Sequence, residues 1–273
     1  MIDEKHERFT IITPSYNQAD YIEQTIRSVL EQDCPNVEHI VVDGGSSDGT
    51  VEILERYSHI IWISEKDRGQ ADALNKGLAL ATGSIIGWIN SDDYYQENIF
   101  TSVAKNFVNP TTQWVIGNLA NQFDDGKEPC FEKSHVITRE ALIRNPDIVR
   151  QQPTFFRKEA LLSVGGWNAE FFMAMDYDLW IRLARLAPPL MVDENWACYR
   201  NHSAQKSSHA NIIRQSREIS AILRREHVPW RQIAAHRCKK RWYWLKGICK
   251  EQLIALGFVP KKYKTRPVRL DAE

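Results

Sequence analysis

Ser84-Ile85-Ile86-Gly87-Trp88-Ile89-Asn90-Ser91-Asp92-Asp93 joins an apolar run to an acidic turn. Its apolar part is too short for a helix and reads as a strand buried on both faces. It runs straight into two adjacent carboxylates. Working outward, the same grammar repeats upstream. Phe9 to Ile12 is a β-branched run closed by Pro14, and Val37 to Val42 ends in Asp43-Gly44-Gly45-Ser46-Ser47-Asp48-Gly49. His59 to Ile63 is a third strand. Between the strands, Ala19, Ile22, Ile26, Val29 and Leu30, then Val51, Leu54 and Tyr57, then Ala71, Leu74, Leu78 and Ala81 recur at helical spacing. Strand and helix alternating at this pace predict an α/β chain with a parallel sheet covered by helices on both faces.

Ligands of such sheets bind beyond the carboxyl ends of the strands. Polar clusters sit at four successive strand ends: Thr13-Pro14-Ser15-Tyr16-Asn17, Asp43, Glu65-Lys66-Asp67-Arg68-Gly69 and Asp92-Asp93. Two adjacent carboxylates repel unless something relieves them, and a hard divalent cation shared with phosphate oxygens does so. The competing reading is a cap for a helix predicted over 94–108. Asp176 and Asp178 open an amphipathic helix carrying Trp180, Leu183, Ala184 and Ala187. They are either charges favourable at a helix N-terminus or, for Asp176 behind the apolar Phe171 to Met175, a general base. Arg200-Asn201-His202 lies in a polar segment, so His202 is a candidate for a metal or phosphate, against an ordinary structural histidine. Trp167, after Gly165-Gly166, offers either a stacking face for a sugar or a packed aromatic.

These motifs, in this order and at these distances, resemble the family 2 glycosyltransferases of GT-A fold, in particular bacterial enzymes that build surface polysaccharides. The carriers are Thr13 to Asn17, Val41 to Thr50, Gly69 to Gly77, Asn90 to Asp93 and Met175 to Trp180, and the likeness covers roughly residues 8–205. The resemblance implies a catalytic domain over 1–205, with a Rossmann-like nucleotide-binding half (1–93), an acceptor half (94–205) and a mixed central sheet. A helical, basic extension (206–273) follows. It implies inverting transfer of a sugar from a nucleoside diphosphate donor, with Mn²⁺ or Mg²⁺, to a glycan or lipid-linked acceptor in polysaccharide biosynthesis. Thr13, Pro14 and Tyr16 would border the base and Asp43 would hydrogen-bond it. Asp67, Arg68, Gly69 and Asn75 belong to the donor segment. Asp92 and Asp93 match the metal-binding motif, with His202 as a further metal candidate, and Asp176 matches the base. Gln152 and Trp167 fall at the acceptor entrance. Two positions depart from the family's usual pattern: Asn90 stands where Asp is frequent, and Met175 where Glu is frequent.

Composition sets the remaining bounds. The 273 residues are 43% hydrophobic and 26% charged, which excludes disordered and fibrous classes. No apolar run approaches the length of a membrane span, the charged start Met1 to Arg8 is unlike a signal peptide, and five cysteines without a CxxC pair suit a reducing cytosol. The net charge of zero conceals an asymmetry. Residues 224–273 hold 14 Lys+Arg against 4 Asp+Glu, and the rest hold 21 against 31. Aromatics and cations interleave over 230–258, as in a helix lying on an anionic membrane surface, so peripheral association with the inner face of the plasma membrane is expected. Solvation of the basic helix, or packing of its tryptophans on the body or in a homodimer, is the alternative. No nucleic-acid recognition motif is present, and Pro14-Ser15-Tyr16-Asn17-Gln18 replaces the glycine fingerprint a dehydrogenase needs. A catalytically silent sugar-nucleotide-binding protein is the remaining rival; intact Asp92, Asp93 and Asp176 speak against it.

Overall fold

The structure, a computed structural model, describes residues 7–32, 34–123, 130–133, 136–202, 205–206 and 211–255. The chain forms two compact units, Met1–Asn121 with Cys130–Tyr199, and Gln122–Pro129 with Arg200–Glu273. The sequence reading draws its boundary at 205/206; the compact units part at 199/200.

The first unit opens with β1 (Phe9–Ser15), α1 (Ile22–Leu30), β2 (Val37–Asp43), α2 (Thr50–Leu54), β3 (Ile61–Ser64), α3 (Gln70–Leu80) and β4 (Ile85–Trp88). β1 pairs in parallel with β2 on one side and β4 on the other, and β2 pairs in parallel with β3. Parallel neighbours need a crossover, which each helix supplies. Since β1 lies between β2 and β4, the winding reverses there, and a crevice opens at the carboxyl ends of β1 and β4.

β5 (Tyr94–Tyr95), α4 (Phe100–Asn106), β6 (Trp114–Phe123), β7 (Cys130–Glu132), α5 (Arg139–Arg144), β8 (Thr154–Arg157), α6 (Lys158–Ser163), α7 (Met175–Leu183) and β9 (Leu190–Asn201) follow. β8 runs antiparallel to both β4 and β6, so the sheet is mixed. Its order is β3-β2-β1-β4-β8-β6-β9-β5, with β7 on β6. The helix expected over 94–108 is corrected here. Tyr94 and Tyr95 pair antiparallel with Cys198 and Ala197, and the helix starts only at Phe100. Burial of Tyr95 explains the change: its ring stacks on Phe155 with centroids 5.4 Å apart, beside Phe9, Phe100 and Trp196. Each such aromatic contributes about 1.5–3 kcal/mol by burial, more than the helix propensity it overrides.

His39 in β2 is buried in this sheet, with Nε2 2.9 Å from the Thr13 hydroxyl. Burial, helped by the charge of His59, pushes its pKa down to about 3 from 6.5. Below pH 6.5 the unfolded chain therefore takes up a proton that the folded chain refuses, and stability falls as pH falls. The expected slope is about 1.4 kcal/mol per pH unit between about 6 and 4.5. Denaturant titrations of the wild type and of His39→Gln check it; equal slopes for the two would remove His39 as the cause.

In the second unit α8 (Ile212–Arg225) packs against α9 (Trp230–Ala255), and Lys240 Nζ donates to Gln215 Oε1 at 3.2 Å. No helix among the described residues is long and apolar enough to cross a membrane. Residues 256–273 of the basic tail, including Phe258, lie outside the described residues.

Candidate active site

The loops at the carboxyl ends of β1 and β2 are stitched together. Asn17, at φ 51°, donates its N–H to Ser46 Oγ at 2.7 Å and accepts from Ser47 N at 3.0 Å through Oδ1. Ala19 N donates to Asp48 Oδ2 at 3.0 Å. Asp48 also accepts from Thr50 N at 3.1 Å, at the first residue of α2. Tyr16 stands 62% exposed at the rim, whereas Thr13 and Pro14 are buried in β1. The Thr13 hydroxyl is engaged with His39, so of the three residues expected to border a base only Tyr16 presents open surface. Asp43 is fully buried. Its carboxylate accepts from Gly45 N (3.0 Å), Ser46 N (2.8 Å), Ser64 Oγ (2.7 Å) and Ser46 Oγ. Three of these bonds fall on Oδ2 and one on Oδ1.

Asp67 lies over this loop: a Cβ on Gly44 would sit 3.0 Å from its Oδ2. Its Oδ1 accepts from Gly69 N at 2.8 Å. Gly69 adopts φ 112°, ψ 176°, a conformation reserved for glycine, and α3 begins at the next residue. Arg68 is exposed and pairs with Asp72 at 2.7 Å across one helical turn, a solvated contact worth little for stability.

Further along α3, Asn75 Nδ2 donates to Trp167 O at 2.7 Å, and Trp167 N donates to Asn75 Oδ1 at 3.0 Å. Gly166, at φ +66°, leaves room for this clasp; a Cβ there would fall 2.5 Å from Asn75 Oδ1. Trp167 is 1% exposed and packs edge-to-face on Trp88 at 5.7 Å. Of the two readings of Trp167, its burial fits the packed aromatic, and Asn75 is engaged in holding its loop.

The turn after β4 separates the two acids. With α4 starting at Phe100, Asp92 and Asp93 cap no helix. Asp93 is fully buried, its Oδ2 accepting from Gln152 Nε2 at 2.8 Å and Asn90 Nδ2 at 3.2 Å. Thr25 Oγ1 ties the backbone carbonyls of Ser91 (3.0 Å) and Asp93 (2.6 Å) to α1. Of the pair expected to hold a metal, only Asp92 keeps exposed surface. Gln152, expected to meet the acceptor, is buried and engaged with Asp93.

The acids of α7 divide in the same way. Asp178 is fully buried, and its Oδ2 pairs with Arg182 at 2.7 Å. Asp176, in the first turn, stays half-buried and accepts from Tyr177 N at 2.7 Å. Met175 is buried, so that position presents no side chain to a ligand. The segment leading to Asp176 reaches the Asp67–Gly69 loop: the Phe172 ring lies 3.7 Å from where a Cβ of Gly69 would be.

Asp92 supplies a hard carboxylate oxygen at a strand end, the donor type Mg²⁺ and Mn²⁺ accept when most of their ligands are water and phosphate. Among the described residues no group of three His, Cys, Asp or Glu gathers into an all-protein cage, and the residues present fit a cation held jointly with a diphosphate. His202 is buried in the second unit, its N–H donating to Gln205 Oε1 at 3.2 Å. A cavity of about 510 Å³ lined by Asn118, Phe131, Lys133, Asp193 and neighbours contains none of the residues expected to bind donor or acceptor.

Asn90 and Gln152 stand out in the sequence, but the amide network they form around Asp93 does not. Its one local signal is Asn90 standing where Asp is frequent; Gln70 and Gln151 reach Asn90 from 20 and 61 positions away.

Comparison with known proteins follows the same line. Over 95 residues the chain is 42% identical to a putative teichuronic acid biosynthesis glycosyltransferase, TuaG, of Bacillus subtilis, covering 33% of this chain and 37% of that protein. S. aureus TarS 1-349 in complex with UDP superposes with a TM-score of 0.60 at 19% identity, covering 79% of this chain and 65% of that one. The mannosyltransferase PcManGT of Pyrobaculum calidifontis, solved with GDP-Man and Mn²⁺, gives 0.58 at 21% identity over 92% and 81% of the chains. The chain thus spans little more than a third of TuaG, while the fold it shares with both structures is GT-A. The profile described as glycosyl transferase family 2 matches residues 10–162, more than half the chain, and the chain belongs to that family.

Proposed function

We propose that this glycosyltransferase moves a sugar, with inversion, from a nucleoside diphosphate donor to a hydroxyl of a glycan or lipid-linked acceptor in polysaccharide biosynthesis. One observation carries the reading. Gln70 Nε2 donates to Asn90 Oδ1 at 2.7 Å, joining the Asp67–Gly69 loop to the turn that bears Asp92. Phe172 brings the approach to Asp176 against the same loop.

In this reading Tyr16 and Asp43 face the base, and Arg68 turns from Asp72 to the diphosphate, a charge-assisted contact with its guanidinium. Asp176 accepts the proton of the acceptor hydroxyl while that oxygen bonds to the anomeric carbon. The bond from that carbon to the diphosphate oxygen breaks, and the nucleoside diphosphate leaves from the opposite face. A single base is required because the leaving group departs as an anion. A divalent cation, when bound at Asp92, would offset the charge on that anion. The name of the relative, a putative teichuronic acid biosynthesis glycosyltransferase, supports the polysaccharide setting, and the UDP and GDP-Man bound to the structural neighbours support this class of donor.

Thermal-shift titrations of the full chain with UDP, GDP and their sugars, with and without Mn²⁺, test the reading. A ligand at 100 times its Kd stabilises by about 2.7 kcal/mol, so a cognate donor raises the melting temperature, and raises it further when Mn²⁺ is present. A flat response to every nucleotide would defeat it.

We also propose a cytoplasmic location at the membrane surface. Trp242 and Leu245, 52% and 54% exposed, share a face of α9 with the exposed Cys238, Arg241 and Lys246. Lys246 Nζ sits 3.4 Å from the centre of the Trp242 ring. This mixture fits an anionic leaflet, each basic residue adding about 1 kcal/mol. Sedimentation with anionic vesicles should pull down the wild type, less so at high salt, and should fail for Trp242→Glu with Leu245→Glu. Equal partitioning of the two proteins would favour protein packing or a homodimer instead.

A further inference from the structure

We propose that Asn90 is a positioning residue for the donor-binding carboxylate of Asp92, and that position 90 in this chain requires an amide rather than an acid. The proposal rests on the donor-and-metal reading of Asp92 above. It goes beyond that reading by assigning a role to a residue that touches neither donor nor acceptor in it.

The hydrogen-bond chemistry at Asn90 leaves no freedom of orientation. Trp88 Nε1 can only donate, and it lies 2.9 Å from the Asn90 side chain. The atom it meets must be Oδ1. The same oxygen accepts from Gln70 Nε2 at 2.7 Å. Nδ2 is then turned the other way, toward Asp93 Oδ2 at 3.2 Å and Gln151 Oε1 at 3.0 Å. Gln151 is fixed independently, because its Nε2 donates to the carbonyl of Trp88, which can only accept. Its Oε1 is therefore the atom left to face Asn90. Two donors and two acceptors meet the two lone-pair directions and two N–H groups of one amide.

An aspartate at this position fails on two sides. It would accept from Trp88 and Gln70 as well as Asn90 does. It would also set a second carboxylate oxygen against Asp93 Oδ2 and against the Gln151 oxygen, with no proton for either. Asp93 is fully buried, so the repulsion is not relieved by water. The place where Asp is frequent in the family is filled by Asn because of the neighbours it has here.

The network also sets geometry. Gln70 is the first residue of α3, directly after Gly69. Gln152 holds Asp93 from the segment before β8. Asn90 thus ties the donor loop, the turn and that segment into one unit, with Asp92 between its two anchored neighbours, Ser91 and Asp93. Partners of this kind around a metal ligand typically cost about 10–100-fold in metal affinity when removed.

The test uses the full chain as wild type, Asn90→Asp, the exchange Asn90→Asp with Asp93→Asn, and Gln70→Met. Each is measured for melting temperature and for calorimetric binding of UDP and GDP with and without Mn²⁺. Asn90→Asp should melt lower and lose about 10–100-fold in Mn²⁺-dependent nucleotide affinity, with metal-free binding little changed. The exchange restores one amide facing one carboxylate and should recover most of the lost melting temperature. Asn90→Asp binding Mn²⁺ and nucleotide as tightly as wild type overturns the proposal, as does an exchange variant no more stable than the single one. Should Asn90→Asp fail to fold, Gln70→Met decides: weakened Mn²⁺-dependent binding at near-normal stability supports the proposal, and unchanged binding overturns it. A wild type that binds no nucleotide with Mn²⁺ defeats the function proposed above instead, and the melting comparison then judges the need for an amide by itself.

Discussion

Asp176→Asn is expected to lower the rate of sugar transfer about 10²–10⁴-fold, the usual loss when a general base is removed, while donor affinity stays near wild type. Asn has the same shape and keeps an oxygen to accept from Tyr177 N, so α7 should start unchanged. What it cannot do is take the acceptor's proton. Asp178, two residues on, is the internal control. It is fully buried against Arg182, and breaking one side of a buried pair leaves an uncompensated charge. Asp178→Asn should therefore lower the melting temperature first and activity only as a consequence. Steady-state kinetics beside melting curves separate the two. Near-normal turnover in Asp176→Asn would take it out of the mechanism.

Asp92→Ala and Asp93→Ala should fail differently although the residues are adjacent. Asp92 keeps solvent-facing surface, so its removal should abolish the Mn²⁺-dependent part of nucleotide binding with little change in stability. Asp93→Ala strips the acceptor from Gln152 Nε2 and Asn90 Nδ2. Each buried donor left unsatisfied costs about 1–3 kcal/mol, so this variant should unfold at lower denaturant. Titration of both with Mn²⁺ and nucleotide, alongside urea melts, checks the pattern. Equal loss of stability in the two would contradict the separate roles.

How far the sequence discloses this molecule follows from the range of the interactions involved. β1, β2 and β4 are buried almost throughout, and each carries a short apolar run, Ile11-Ile12, Ile40-Val41-Val42 and Ile85-Ile86, which local pattern detects. β9 is not: Leu190-Met191-Val192-Asp193-Glu194-Asn195 has no clean alternation and is partly exposed, so it escaped as a strand. It took β5 with it, because Tyr94 and Tyr95 are strand only through their pairing with Cys198 and Ala197, about a hundred residues away. The site shows the same divide. Strand-end acids and glycines mark the loops in the sequence. Which acid of Asp92-Asp93 or Asp176-Asp178 faces outward is decided by Gln152, Thr25 and Arg182, and neither spacing nor composition shows that. Trp167 was legible only as an aromatic after two glycines; its burial depends on Asn75 and Trp88.

Inverting transfer from a nucleoside diphosphate sugar, proposed for the carboxyl ends of β1 and β4, leaves a stereochemical signature in its product. Proton NMR of the anomeric signal, followed from the first minutes after the full chain is mixed with UDP-GlcNAc or GDP-Man and Mn²⁺, tests it most directly. The prediction is consumption of the cognate α-linked donor only with the divalent cation, a first-formed product of β configuration, and loss of the reaction in Asp176→Asn. A first-formed α product, or turnover undiminished in Asp176→Asn, would contradict the account.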